Sequence, residues 1–145
     1  MSSAASNDRR ILGTRVARIL VVDDSPDMRE LLERILRRDG HVVEHAANGR
    51  DALELLMSGQ FDIVLTDLLM PEMDGIELIR ELSARAPDTP IVALSGADVT
   101  SGLLRAARVF GALVALEKTV SPTAIRDAIR QVLRAKEEAV EPAVA

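Results

Sequence analysis

The chain has 145 residues and a net charge of −5 at neutral pH, with 48% hydrophobic and 28% charged residues. This length gives room for one ordinary domain, and no apolar stretch is long enough to span a bilayer, so membrane insertion is not expected. The acidic balance and the lack of Trp and Tyr argue against nucleic-acid binding, which uses basic surfaces and stacking aromatic side chains.

The two ends of the chain differ in composition from its middle. The first residues are polar and lack the apolar segment of a secretory signal, so we expect a cytoplasmic protein. The last residues follow no clear period and are expected to fray. We therefore divide the chain into a polar leader at 1–16, a folded domain at 17–135 and a tail at 136–145.

Five short apolar segments alternate with five amphipathic ones. This alternation predicts βαβ units and an α/β fold with a parallel sheet covered on both faces. The predicted strands are centred on residues 19–22, 42–45, 63–66, 91–95 and 112–116.

Each predicted helix has a residue that favours its start or its end. Ser, Asn and Pro favour helix starts, Gly favours helix ends, and Pro stops a helix that precedes it. The signals are Ser25 and Pro26 before the first helix and Gly40 after it, Asn48 before the second, Pro87 after the third, Gly111 after the fourth, and Ser121 and Pro122 before the fifth.

Polar residues follow four of the five predicted strands. Asp23 and Asp24 follow the first strand, and Asp67 follows the third. Ser95 ends the fourth strand, and Lys118 comes just after the fifth. Because the carboxyl ends of parallel strands meet at one edge of a sheet, we expect these five side chains to lie together.

This set of side chains indicates phosphoryl chemistry. Clustered carboxylates repel one another unless one is protonated or a hard cation binds, and Mg²⁺ needs few protein ligands because it keeps several waters. A carboxylate can also attack phosphorus to form an acyl phosphate when cations offset the charge of the phosphoryl oxygens. Lys118 is a candidate for a second cation, and the Ser95 hydroxyl is a candidate hydrogen-bond partner of a phosphoryl oxygen.

Four motifs give the chain a resemblance to a known family. They are VVDDSP, TDLLMPEMDG, ALSG and the segment from Gly111-Ala112 to Lys118. Over about residues 18–133 the chain resembles the receiver domain of bacterial two-component response regulators, a group that includes the chemotaxis response regulator. The resemblance implies a flavodoxin-like, doubly wound fold with five helices and a five-stranded parallel sheet of order 2-1-3-4-5.

The resemblance also implies roles for individual residues. Asp67 would be the phosphorylation site, Ser95 the switch hydroxyl and Lys118 the contact to the phosphoryl group. Mg²⁺ would be held by Asp23, Asp24, Asp67 and the backbone carbonyl of Leu69.

The family's partners follow from the same resemblance. A histidine kinase or a histidine phosphotransfer protein would supply the phosphoryl group, and phosphorylation would switch affinity for an unidentified protein target. Exposed residues of the first helix, such as Arg29 and Arg37, and the loop after Lys118 would set partner specificity. Because the fifth helix uses most of the chain after Lys118, we expect a stand-alone receiver, a monomer or weak dimer, that acts as a phosphoacceptor rather than as an enzyme.

The sequence departs from the family pattern at two positions. Ala115 stands where a Tyr or Phe usually turns inward on activation, and Phe110 does not match that position. Thr119 stands where members commonly have a Pro after a cis peptide bond. Because a cis bond before a non-proline residue costs about 3–4 kcal/mol, we expect a trans bond between Lys118 and Thr119.

Two further positions bear on the lifetime of an acyl phosphate. In the family, this lifetime is tuned by the residues two after the phosphorylated Asp and two after the switch hydroxyl, which here are Leu69 and Ala97. Neither side chain can orient an attacking water by hydrogen bonding. The sequence therefore predicts slow self-dephosphorylation.

Three other functions are compatible with parts of the pattern. A phosphorylation-independent adaptor would keep the fold without the switch, but the acids, Ser95 and Lys118 are all retained. A Mg²⁺-dependent phosphohydrolase of the dehalogenase type would need a second Asp two residues after the nucleophile, where Leu69 stands. A flavin or nucleotide carrier would need a phosphate-cradling loop after the first strand, where Asp23 and Asp24 stand.

Overall fold

One parallel sheet forms the centre of the molecule. The computed structural model describes residues 10–11, 14–70, 75–96, 101–117 and 121–140. The strands are β1 (Arg18–Val22), β2 (Val42–Ala46), β3 (Ile63–Asp67), β4 (Ile91–Ser95) and β5 (Val114–Glu117). Their order across the sheet is β2-β1-β3-β4-β5, which confirms the expected order 2-1-3-4-5.

Five helices connect and follow these strands within the described ranges. They are α1 (Pro26–Arg37), α2 (Gly49–Ser58), α3 (Gly75–Arg85), α4 (Ser101–Phe110) and α5 (Pro122–Val140). The predicted caps are in place for the first two, because the side chains of Ser25 and Asn48 accept backbone N–H bonds of 3.2 and 2.8 Å. In these ranges we find no helix with the length and apolar character needed to cross a membrane.

The two faces of the sheet carry separate hydrophobic cores. Successive side chains of a strand point to opposite faces, so neighbouring residues such as Leu20 and Val21 enter different cores. One core packs against α1 and α5, with Leu32, Leu36, Ile125, Ile129 and Val132 among its residues. The other packs against α2, α3 and α4, with Leu53, Leu56, Leu78, Ile79 and Ala107 among its residues.

The structure differs from the sequence-based expectations at three places. The fifth strand begins at Val114, which is aligned with Val92 of β4, two residues later than expected, although the Leu113 amide before it already donates a 2.8 Å hydrogen bond to the Ile91 carbonyl. Within the predicted polar leader, Arg10–Ile11 pairs antiparallel with Thr14–Arg15. The last helix continues to Val140, into the region expected to fray.

An ion pair joins α5 to the turn after α1. The Arg126 guanidinium donates two hydrogen bonds to the carboxylate of Asp39, with lengths of 3.1 and 2.6 Å. These bonds hold the pKa of Asp39 below its usual value of 3.8, although burial acts in the opposite direction. The pair connects residues that are 87 positions apart in the chain.

Gly75 brings the start of α3 against the end of β3. A Cβ atom placed on Gly75 would lie 2.3 Å from the carbonyl oxygen of Asp67 and 2.5 Å from the Cα of Leu68. The Gly75 amide also donates a 2.9 Å hydrogen bond to the Leu68 carbonyl. Lack of space for a side chain therefore requires glycine at this position.

Replacement of Gly75 by alanine is expected to destabilise the fold. In Gly75→Ala, the backbone at the end of β3 must move, and we expect the free energy of unfolding to fall by about 1–3 kcal/mol, measured by urea denaturation. Gly59→Ala is the matched control, since its Cβ would have no neighbour closer than 3.4 Å and its φ is −144°. Equal losses in the two variants would contradict this explanation.

A buried histidine lies beside the amino end of β1. His41 is only 4% exposed, and its Nδ1 accepts a 3.0 Å hydrogen bond from the backbone N–H of Ala17, so the proton lies on Nε2. Within the described residues Nε2 has no hydrogen-bond partner. Burial, aided by the Arg130 charge, lowers the pKa of His41 below 6.5, and the charges of Asp39 and Asp62 only partly oppose this. Burial of His41 therefore favours its neutral form in the folded protein at neutral pH.

This histidine should make stability depend on pH. Below its usual pKa, His41 of the unfolded chain takes up a proton that the folded chain resists, so stability is present at neutral pH and falls as pH drops from about 7 towards 5. Urea denaturation at several pH values measures this. His41→Asn keeps an acceptor for the Ala17 amide and does not titrate, so its stability should fall less over the same range. An unchanged pH dependence in this variant would contradict the assignment.

Candidate functional site

Three acidic side chains meet at the carboxyl edge of the sheet. One carboxylate oxygen from each of Asp23, Asp24 and Asp67 lies within 4.8 Å of the others. Asp23 and Asp67 are 0% and 4% exposed, whereas Asp24 is exposed. The cluster thus has two buried carboxylates and a third that is open to solvent, as expected for strand ends that share one edge.

The backbone around Asp23 is held by hydrogen bonds from three directions. The Asp23 amide donates to the Ala46 carbonyl at the end of β2 over 3.1 Å, and its Oδ1 accepts from the Ser25 amide at 2.9 Å. The guanidinium of Arg29 donates to the Asp23 carbonyl at 2.7 Å. Arg29 is half-buried and turned back towards Asp23, so the expectation that it is exposed is wrong, whereas Arg37 is exposed as expected. A role of these residues in partner recognition stays a prediction.

Asp67 is the last residue of β3, and its position is set by neighbouring backbone groups. Its Oδ1 accepts a 3.3 Å hydrogen bond from the Leu69 amide. The adjacent Leu68 amide donates to the Leu94 carbonyl of β4 at 3.0 Å. These bonds place the peptide groups of residues 68 and 69 beside the carboxylate, while the Leu69 side chain is 54% exposed.

Ser95 ends β4, the strand next to β3. It is fully buried, and its hydroxyl has no hydrogen-bond partner in the part of the chain that the structure describes. Across the sheet it is aligned with Glu117, the last residue of β5. Lys118 follows Glu117 but lies outside the described residues, as do Ala97 and Thr119, so their predicted roles and the Lys118–Thr119 bond stay predictions.

The position of the missing aromatic side chain is filled by a small residue. Ala115 of β5 is half-buried, aligned with Ala93 of β4 and packed against the core on the α4 face. Phe110 lies at the end of α4, where its ring centroid is 5.4 Å from the Arg80 guanidinium of α3. The structure thus gives no reason to transfer the aromatic role to Phe110.

The acidic cluster has the right chemistry and spacing for Mg²⁺. This ion prefers oxygen ligands at 2.0–2.1 Å, so two ligands on opposite sides of it are about 4.2 Å apart. The separation of 4.8 Å or less among the three carboxylate oxygens requires only a small contraction around an ion. Asp23, Asp24 and Asp67 could therefore hold a magnesium ion directly or through its waters.

Comparison with known proteins agrees with the fold. Residues 19–130 match the family model described as the response regulator receiver domain. The response regulator MprA of Mycolicibacterium vanbaalenii is 45% identical over 84 residues, which are 58% of this chain and 36% of that relative. The response regulator receiver protein CpdR of Brucella abortus is 44% identical over 79 residues, 54% of this chain and 66% of that relative.

Solved receiver domains have the same architecture. A CheY-like receiver domain protein from Methanospirillum hungatei superposes with a TM-score of 0.80 at 26% identity, covering 85% of this chain and 98% of that one. A receiver domain protein from Clostridium thermocellum gives a TM-score of 0.81 at 26% identity, with 86% and 100% coverage. With the family model matched over most of its length, the chain belongs to the response regulator receiver domain family.

Proposed function

We propose that the domain receives a phosphoryl group on Asp67 from a histidine kinase or a histidine phosphotransfer protein, in a reaction that depends on Mg²⁺. The observation that carries this proposal is the buried carboxylate of Asp67 among two other acids at the carboxyl edge of the sheet. A buried carboxylate in such a cluster is stable as an anion only when positive charge is supplied nearby. A bound magnesium ion would supply that charge, and it would also offset the negative charge that a phosphoryl group adds.

The reaction is a direct transfer between two side chains. A carboxylate oxygen of Asp67 attacks the phosphorus of a phosphohistidine, the P–N bond breaks with its electron pair leaving on the imidazole nitrogen, and an acyl phosphate forms. Asp23, Asp24, Asp67 and the Leu69 carbonyl would hold Mg²⁺, which when bound supplies positive charge opposite the phosphoryl oxygens. Lys118 follows the strand next to β4 and would supply a second positive charge.

Ser95 connects phosphorylation to a change of shape. Its buried hydroxyl is a donor without a described acceptor, and a phosphoryl oxygen on the neighbouring strand end would provide one. The bond would draw in the chain that follows β4. We infer that this movement changes the affinity of the domain for a protein partner.

Phosphorylation can be tested by intact mass spectrometry. After incubation with phosphoramidate, a small donor with a P–N bond, the protein should gain one phosphoryl group when Mg²⁺ is present and none when it is chelated. Asp67→Asn should gain none. Asp88→Asn, which changes an exposed carboxyl group in the turn before β4, should be phosphorylated like the wild type. A folded wild-type protein that gains no phosphoryl group from this donor or from a histidine kinase would favour the phosphorylation-independent adaptor.

The lifetime of the acyl phosphate gives a second test. Leu69 is exposed beside Asp67 and cannot hold a water by hydrogen bonds, so spontaneous hydrolysis should be slow. The double substitution Leu69→Asn with Ala97→Thr should speed loss of the phosphoryl group by at least about tenfold, followed by mass spectrometry after the donor is removed. Leu31→Asn, at an exposed leucine of α1, is the control. No faster decay in the double variant would count against this explanation.

A further inference from the structure

Arg29 makes a specific contact with the acidic cluster from the second turn of α1. Its backbone amide bonds to the Ser25 carbonyl at 3.0 Å as part of the helix, and its Nη1 donates to the backbone carbonyl of Asp23 at 2.7 Å. A side chain of α1 thus contacts the backbone at the end of β1, the strand that precedes this helix. Because the contact is to the backbone carbonyl, it affects the position of Asp23.

The Asp23 peptide groups have few remaining ways to move. The amide of Asp23 is bound to Ala46 of β2, and Ser25 binds the carboxylate Oδ1. The Arg29 bond holds the carbonyl on the other side of the Asp23 Cα. With amide, carbonyl and side chain all held, the Cα–Cβ bond of Asp23 has a set direction towards Asp67 and Asp24.

We propose that Arg29 is a positioning residue for magnesium binding, a proposal that rests on the proposed function. Ions bind more tightly when groups behind the direct ligands hold those ligands in place, and loss of such a group typically costs about 10- to 100-fold in affinity. Arg29 does this for Asp23 through the backbone.

The charge of Arg29 and its hydrogen bond to Asp23 predict opposite effects on the affinity for Mg²⁺. The guanidinium is itself a cation beside the site, so by Coulomb repulsion alone its removal should tighten the binding of Mg²⁺. If its main effect is to hold Asp23, its removal should weaken binding. The direction of the change therefore separates the two roles.

The surroundings of Arg29 indicate a local role. Its side chain lines an open cleft of about 540 Å³, together with His45, Asp51 and Glu54. Water from this cleft can take the place of the guanidinium as hydrogen-bond donor to Asp23, which would satisfy the carbonyl without holding it in one direction. Removal of Arg29 should consequently affect metal affinity more than overall stability.

The test measures Mg²⁺ affinity of the unphosphorylated protein by following backbone amide NMR signals of Asp24 and Leu69. Arg29→Met should bind Mg²⁺ about tenfold more weakly than the wild type. Arg29→Lys keeps a donor and a positive charge and should recover part of the loss. Arg34→Met is the matched control, because it removes an exposed arginine from the same helix and changes the net charge equally.

Two further measurements distinguish the outcomes. In Arg29→Met the amide of Asp23 should exchange hydrogen faster, while amides of core residues such as Leu32 and Ile129 and the melting temperature stay close to wild type. Unchanged or tighter Mg²⁺ binding in Arg29→Met would overturn the proposal, and so would a loss of affinity matched by Arg34→Met or accompanied by general unfolding. A wild-type protein that does not bind Mg²⁺ would instead contradict the proposed function.

Discussion

The repulsion among three carboxylates at one edge of the sheet is the constraint on which the rest of the site depends. Two of these groups, Asp23 and Asp67, are buried, where an ionised group loses the hydration that stabilises it in water. Backbone hydrogen bonds compensate part of this loss of hydration, since the Ser25 amide donates to the Asp23 carboxylate and the Leu69 amide donates to the Asp67 carboxylate. A bound hard cation, which prefers oxygen ligands, would reduce the repulsion further.

The parallel sheet keeps this repulsive arrangement in place. β1 and β3 are adjacent, with Val22 aligned to Thr66, so the residues that follow them must lie together. Both strands are covered by packed helices, and a shift of one residue in their register would turn their core side chains to the wrong face. At the end of β3 the contact with Gly75 leaves no room for movement towards α3. The packing of the hydrophobic cores therefore offsets the electrostatic repulsion among the carboxylates.

The sheet next to the site differs from the usual family pattern at one position of β5. Ala115 of β5, aligned with Ala93 of β4, occupies the position where the family usually has an aromatic residue. The ring of Phe110, the last residue of α4, lies instead against the guanidinium of Arg80 in α3. Ser95 is retained, buried and next to β3. Under the proposed function, a change at Asp67 would reach the rest of the domain through the Ser95 hydroxyl, without a large side chain at position 115.

Much of the fold follows from local pattern, because apolar runs, capping residues and stop signals act over a few neighbouring positions. Asn48 capped the predicted helix, and the strand at 63–66 ended at Asp67, so the acidic edge could be read from the chain. The sequence predicted the start of β5 less well, since the start depends on where Val114 begins to pair with β4. The N-terminal strands Arg10–Ile11 and Thr14–Arg15 have two residues each, which is too short for a recognisable alternation of apolar and polar residues.

The sequence by itself determined which residues stand at the strand ends, and with them the likeness to receiver domains. Only the tertiary structure decided what those residues touch. Arg29 reads as a solvated charge on a helix, and its bond to the Asp23 carbonyl exists because α1 folds back over the end of β1. Asp39 and Arg126 are likewise brought together only by the packing of α5 on α1. Side-chain contacts of this kind depend on the angles at which elements pack, which no short stretch of sequence encodes.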